Sequence, residues 1–515
     1  MSLSIDIVPL APSLDLYGEP RSSSAFSLSG HVGIALSSPY SVFERRRPAR
    51  ILLQSVLLTF DGQTEVFTEK LGYSGIRLYS KTVDLAPSEP LELTDEGQDE
   101  PCRWNLVFDL PIPGWLPASH DFAAGDVGAS TQYFLHAVVQ FLVLDDQQAT
   151  PWSFSTLCSP FRARARSIQT RKTITLRRFV EPPTDEPAPV GLVNYLLTGP
   201  KLASEGAQIP ADVVSKIQVL ASVPKHLDVC DNVLPLTLRL RTKDLEDEHC
   251  KRLQLKQFAV EIIQEETFRR VTDVSVYQTQ YPLPSADCQP PNKPLLRAHY
   301  MGDMYNKLGL FLNPSSNTTS TTCSGSLLSG GDSGIYYLTG DRHIFAEDAE
   351  AASWYTLETS IPFAHELKSS LEGDGESKLR PSGTSPMYGV SHSLKLTVQC
   401  EYEMPSGELA DADLKFTIPL TFGRVAPPLP PRDILPALYT AMRLTHGSYP
   451  LMPELLPFGA NLPAYSQLFD SQGNRKMDAT PLPLYSPRSS SDSEAPVDLL
   501  PAFNEKQDIL NATTV

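Results

Sequence analysis

Apolar residues recur at every second position along most of this chain. Trp104, Leu106, Phe108 and Leu110 fall on one side of a strand, and Tyr133, Leu135, Ala137, Val139, Phe141 and Val143 on one side of another. The pattern returns at Ile217, Val219, Ala221 and Val223, and at Leu236, Leu238 and Leu240. It appears again at Leu394, Leu396, Val398, Cys400 and Tyr402, and last at Leu414, Phe416, Ile418, Leu420 and Phe422. A period of two sends alternate side chains into a core and the rest into water, as antiparallel sandwich strands require. Helical periodicity is almost absent. The best helix candidate before residue 425 is short, Ala346–Tyr355. Asp61-Gly62, between Val56–Phe60 and Thr64–Phe67, is a hairpin signal. With 41% apolar and 20% charged residues the chain has material for a sizeable core. The expected class is all-β.

The strands form two sets, predicting two antiparallel β-sandwich domains over 1–180 and 210–425. Between them lies a linker, 181–209, opened by the stiff run Glu181-Pro-Pro-Thr-Asp-Glu-Pro-Ala-Pro189. Within the second set, 313–334 is rich in Ser, Thr and Gly and is expected to leave the sandwich as a disordered low-complexity insertion. The chain holds 46 prolines against 29 glycines. Proline is excluded from helix interiors and central strands, so it belongs in loops, edges and tails. It is concentrated after Val425, where Ser486–Glu494 also reads SPRSSSDSE. Residues 426–515 are therefore expected to be a disordered tail, with a possible short helix at Asp433–Leu444.

Several functions are disfavoured. A net charge of −17 opposes general nucleic-acid binding. No apolar run approaches the roughly 20 residues of a spanning helix. The start, MSLSIDIVPLAPSLD, lacks the basic region of a signal peptide. The seven cysteines are scattered and never form C-x-x-C, which suits a reduced intracellular protein without a zinc knuckle. No phosphate-binding glycine motif and no paired histidines occur, so no cofactor and no metal are expected. Gly331-Asp-Ser-Gly334 and His249-Cys250 are the nearest approach to a serine-protease pattern. Ser333 closes a Ser/Gly run and His249 lies in KDLEDEHCKR, so neither has the flanking apolar strand of such a site. The expectation is a protein with no catalytic residues.

The basic features are more informative. Arg162, Arg164, Arg166, Arg171, Lys172, Arg177 and Arg178 fall in a stretch, Gln147 to Val180, that contains no acid. Phe161-Arg-Ala-Arg-Ala-Arg166 alternates, so three guanidiniums would share one strand face. Arginine binds carboxylate or phosphate bidentately, which makes these seven residues candidates for an acidic or phosphorylated ligand. The bland alternative is an edge strand guarded by charge. A second cluster, Arg45, Arg46, Arg47 and Arg50, sits in an expected loop. It is either a contact to anionic lipid or a solvated turn.

The order of these segments resembles the arrestin superfamily, and among its members the fungal alpha-arrestins. The first half carries Gly30–Pro39, Ile51–Gly62, Trp104–Pro113 and Tyr133–Val143 in the positions of an arrestin N-domain. The second opens with Lys216–Lys225 and Leu234–Leu240 and closes with Ser393–Met404 and Leu414–Val425, as an arrestin C-domain does. The resemblance covers about 5–425 and rests on element order. It implies a cytosolic, non-enzymatic adaptor, recruited peripherally to the plasma membrane or endosomes. Such an adaptor links the cytosolic tails of membrane transporters or receptors to a HECT-type ubiquitin ligase with WW domains. Family tails engage those domains through P-P-x-Y. Here the tail holds Leu462-Pro463-Ala-Tyr465 and Leu482-Pro483-Leu-Tyr485, each with Leu in place of the first proline. Two weakened copies are expected to act through avidity. Pro427–Arg432 matches a Src-homology ligand loosely and reads as a stiff spacer. Two other classes stay open: an arrestin-fold scaffold in signalling or retromer-like trafficking without ligase recruitment, and a β-sandwich hydrolase or lectin.

Overall fold

A computed structural model describes residues 2–21, 24–37, 49–68, 70–86, 91–95, 102–124, 127–144, 166–183, 191–198, 209–270, 281–290, 292–293, 319–328, 334–338, 341–346, 353–369 and 377–427. The described chain is nearly all strand, in large and mainly antiparallel sheets. It divides into two compact units. The first is built on Met1–Asp185 with Arg269–Thr319, the second on Glu186–Phe268 with Ser320–Ala426.

The first unit contains β1 (Ser2–Pro9), β2 (Ser13–Tyr17), β3 (Ala25–Ser37), β4 (Ala49–Thr68), β5 (Gly72–Asp84), β6 (Leu91–Asp95), β7 (Cys102–Pro113), β8 (His120–Ala124), β9 (Val127–Leu144) and β10 (Arg166–Phe179). One layer is the three-stranded sheet β1-β3-β7. The other is seven-stranded, ordered β2-β10-β9-β4-β5, with β6 on β4 and β8 on β9. The inward positions of β7 and β9 are those picked out by alternation: Leu106, Phe108, Leu110, Leu135, Ala137 and Val139 are buried, and Val32 and Ile34 of β3 and Val56, Leu58 and Phe60 of β4 are buried with them.

The second unit contains β11 (Leu192–Thr198), β12 (Ile217–Pro224), β13 (Leu227–Asp228), β14 (Val233–Thr242), β15 (Leu253–Arg269), β16 (Ser320–Leu328), β17 (Ile335–Tyr337), β18 (Tyr355–Ser369), β19 (Ser377–Lys378), β20 (Gly383–Thr384), β21 (Tyr388–Glu403), β22 (Leu409–Leu420) and β23 (Phe422–Gly423). An eleven-stranded sheet runs β11-β12-β14-β18-β16-β15-β21-β20, with β17 on β15, β19 on β18 and β22 on β21, and β13 pairs in parallel with β23. The two ends of this long sheet share one core. Val219, Leu236 and Leu238 from one end belong to the same buried cluster as Ile262, Leu396, Leu414 and Phe416 from the other. That is sandwich packing of alternating strands.

Three local expectations are corrected. Asp61-Gly62 is no hairpin: β4 runs unbroken through it, with a register shift against β5 between Gly62 and Gln63. Asp-Gly turns of the tight kind need positive φ, and Gly62 is not among the positive-φ glycines. What Gly62 provides is clearance, since a Cβ there would lie 2.6 Å from the Tyr133 ring. Ser320–Leu328, expected within a disordered insertion, is strand β16, paired with β18. Its burial is sparse, so its sequence reads as loop while its backbone is ladder-bonded. Tyr355, expected to end a helix, begins β18, and Ala346–Tyr355 is otherwise largely outside the described residues. The α-helices described are short: α1 (Ala211–Val214) and α2 (Asp247–Arg252).

Candidate functional site

Strand β10 is where the sequence placed its basic run. It pairs along Arg166–Ile174 with β9 and is antiparallel to it. On its other side β2 joins in parallel only at Thr175–Phe179. Among the described residues, then, the two halves of β10 have different ladder partners, β9 along Arg166–Ile174 and β2 along Thr175–Phe179. This asymmetry divides the cations.

Arg177 and Arg178 lie in the half paired with β2 and are engaged within the unit. Arg177 donates from Nε to Asp15 Oδ1 at 2.7 Å and from Nη2 to Oδ2 at 3.0 Å, and Asp15 is only 5% exposed. Arg178 fans into three carbonyls: Nη1 to Gly18 at 2.9 Å, and Nη2 to Gly114 at 2.6 Å and Leu116 at 2.9 Å. Burial lowers its pKa from the usual guanidinium value. Beside it Tyr133 donates to the Pro117 carbonyl at 2.7 Å, and burial pushes that phenol's pKa up. These contacts make Arg178 a clamp on the Gly114–Pro117 turn.

Arg166, Arg171 and Lys172 lie in the half paired with β9 and are exposed. Arg171 is aligned with His136 of β9, and its guanidinium stands 3.6 Å from the centre of the buried Phe134 ring. Such stacking is a cation–π contact between a guanidinium and an aromatic face. Arg166 and Lys172 point to the opposite face of the strand, aligned with Phe141 and Leu135. The half-strand thus presents cations on both faces. Arg162 and Arg164 lie outside the described residues. So do Arg45, Arg46 and Arg47, while Arg50 donates from Nε to Glu92 Oε1 at 2.6 Å, which partly neutralises it. Leu462, Pro463, Tyr465, Leu482, Pro483 and Tyr485 are outside the described residues, as are 428–432 of the Pro-rich spacer and Ser333. His249 forms a 2.6 Å hydrogen bond through Nδ1 with Tyr402 Oη, which makes it a packing residue of α2.

Sequence reasoning missed two buried polar clusters. In the first unit, Asp61 and Arg77 form a 2.7 Å ion pair with side chains 5% and 1% exposed. Next to them Gln63 donates to Glu65 at 3.0 Å, both buried. Arg77 is also held through its backbone by Gln289, 212 positions away. The Arg77 N–H donates to Gln289 Oε1 at 3.0 Å, and Gln289 Nε2 donates to the Arg77 carbonyl at 2.8 Å. Lys293 Nζ reaches Ser80 at 3.3 Å, and Tyr281 packs on Trp115 with ring centres 5.9 Å apart. In the second unit, Gln264, Glu266, Arg380, Ser382, Tyr388 and His392 form a closed network at one end of the sandwich. In sequence, Asp61, Gln63 and Glu65 look like an ordinary wet face.

Among the described residues no group of His, Cys, Asp or Glu has the geometry to hold a metal ion. No described helix is long and apolar enough to cross a membrane. No protein-family model matches the chain, and no curated protein matches it.

Proposed function

We propose that this chain is a non-enzymatic, cytosolic adaptor of the alpha-arrestin type. In this reading the β-sandwich units are arrestin N- and C-type domains that hold the cytosolic tails of membrane transporters or receptors. The Pro-rich segment 426–515 recruits a WW-domain HECT-type ubiquitin ligase through Leu462–Tyr465 and Leu482–Tyr485. Work at the plasma membrane or endosomes would be by peripheral recruitment, with Arg45, Arg46, Arg47 and Arg50 as the lipid-facing cluster.

The observation that carries the reading is the first half of β10. Its three described cations are exposed, whereas Arg177 holds the buried Asp15 and Arg178 holds backbone carbonyls within the unit. An acidic peptide lying along it would gain charge-assisted hydrogen bonds from Arg166, Arg171 and Lys172. The interaction would weaken steeply with salt. The test is binding of an acidic and a phosphorylated peptide to wild type and to Arg166→Glu/Arg171→Glu/Lys172→Glu, at two salt concentrations. Loss of binding with unchanged unfolding supports the site, and equal binding removes it. The ligase arm is tested separately by titrating WW domains, single and tandem, with a peptide of residues 455–490. Each motif alone is expected near 100 μM, on the order of a few kcal/mol weaker than a micromolar site. Tyr465→Ala or Tyr485→Ala should abolish the tandem gain, and Leu462→Pro or Leu482→Pro should enlarge it. Absence of heat in every case would leave a scaffold without ligase recruitment.

A further inference from the structure

The closed network in the second unit has a definite proton inventory. Gln264 lies directly across from His392 in the β15–β21 ladder. Its Nε2 donates to Glu266 Oε1 at 2.7 Å and to the Lys378 carbonyl at 3.2 Å, and both of those groups only accept. The amide orientation is thereby set, and Gln264 Oε1 is left as the acceptor. It receives the Arg380 backbone N–H at 3.0 Å and His392 Nε2 at 3.0 Å. His392 must therefore carry its proton on Nε2. Nδ1 is then an acceptor, and Ser382 supplies its hydroxyl at 2.8 Å. Ser382 Oγ in turn accepts the Phe422 N–H at 2.9 Å, while the Ser382 N–H donates to the Phe422 carbonyl at 2.8 Å. The ring lies 4.6 Å from that of Phe422 and is 4% exposed.

We propose that His392 is an acid-released clasp: neutral, it ties the Arg380–Ser385 segment and the final strand β23 to the second unit, and a second proton on its ring frees both. The new proton would sit on Nδ1, facing a hydroxyl that now donates. Ser382 would have to turn, and its hydrogen would lose the acceptor it has. The charge would also enter a closed site. The charged or titratable groups that face it are Glu266 on β15, reached only through the Gln264 amide, Arg380 on the clasped segment, and Tyr388 on β21. Glu266 is already bound by Arg380 Nε at 3.2 Å and by the Tyr388 hydroxyl at 2.9 Å, so its charge is taken up. The neighbouring strand β22 offers Leu420, and His365 and Glu366 on β18 are exposed. Burial accordingly pushes the His392 pKa down to about 3. In the opened segment the ring would return to an ordinary value near 6.5. The depressed folded pKa fixes the sign: the clasp is at full strength above pH 6.5 and weakens as pH falls. Because β23 is the last strand before 426–515, the clasp governs how firmly the root of that segment is held.

Hydrogen exchange on the full chain at pH 7.5 and 5.0, corrected for intrinsic rates, tests this. Opening at 379–388 and 420–425 should rise about thirtyfold at the lower pH, from the ratio of the neutral fractions of the opened ring at the two pH values. Opening at 217–224, in β12 of the same unit, should rise far less. An equal rise in all three, or none, overturns the clasp. His392→Gln should open 379–388 more at pH 7.5 and lose the pH dependence, and a retained thirtyfold rise in the variant also overturns it. A measurement on wild type does not depend on the variant folding. Nitrogen-resolved NMR of the histidines should show His392 protonated on Nε2 at pH 7 and unchanged at pH 4.5. A proton on Nδ1, or a midpoint near 6.5 in the folded protein, would refute the proposal.

Discussion

The two units each bury a polar cluster on their strands, and they hold it in different ways. In the first unit Asp61, Gln63, Glu65 and Arg77 sit on β4 and β5, on side-chain positions that strand alternation would give to water. Their backbone tie comes from Gln289, far along the chain. In the second unit Gln264, Glu266 and His392 lie on the inward face of β15 and β21, and their partners come from Arg380–Tyr388, near His392 in the chain but more than a hundred positions from Gln264 and Glu266. A buried ion pair with a distant tie is an all-or-nothing contact, because losing one partner strands a charge. A neutral ring in a local network fails gradually as protons are added. The lesson is that burial alone does not set how a polar cluster responds; the chemistry of its least replaceable bond does.

The largest expected effect is on the ion pair. Arg77→Ala leaves the Asp61 carboxylate buried and should destabilise the first unit by about 3–5 kcal/mol, read as a lower urea midpoint for β4 and β9 amides. Asp61→Leu with Arg77→Met should recover most of that loss, and equal damage from single and double variants would break the comparison. Gln289→Ala comes next. It removes both hydrogen bonds to the Arg77 backbone and should cost about 2 kcal/mol, with faster proteolysis within 281–293 while the second unit is unchanged.

The titration of His392 follows. Its pKa of about 3 in the folded unit lies below the ordinary 6.5, so stability of the second unit should fall by about 1.4 kcal/mol on going from neutral pH to 5.5. Denaturation of wild type and His392→Gln across pH 7.5 to 5.0 measures it, and parallel curves would show that the histidine contributes nothing. The smallest effect is on the exposed cations. Arg166→Glu and Lys172→Glu should change thermal stability by under about 0.5 kcal/mol, whereas Arg177→Glu, facing Asp15, should cost several times as much. Equal costs would erase the division between the two halves of β10.

Much of the fold was legible in the residues themselves. Period-two alternation marked the inward positions of β7, β9, β12, β14, β21 and β22, because which way a strand side chain points is decided by its neighbours one and two positions away. Local signals misled where one residue type serves two purposes. Asp61-Gly62 has turn chemistry, yet Gly62 is there for closeness to Tyr133 and Asp61 for Arg77. Ser320–Leu328 has loop composition and forms β16, held by its neighbours in the sheet.

What the tertiary structure decided was the fate of everything not facing the core. Arg171 and Lys172 resemble Arg177 and Arg178 in composition and spacing, and they part because Arg177 meets Asp15 on β2 and Arg178 meets the carbonyls of Gly18, Gly114 and Leu116. Asp61, Gln63 and Glu65 read as solvated until Gln289 is found against Arg77, and His392 reads as one scattered histidine until Gln264 and Ser382 bracket it. A strand's own face is a local property with a fixed period, so sequence determines it. The partner of an outward or polar group lies at an arbitrary separation along the chain, carries no period, and exists only once the strands have been brought together.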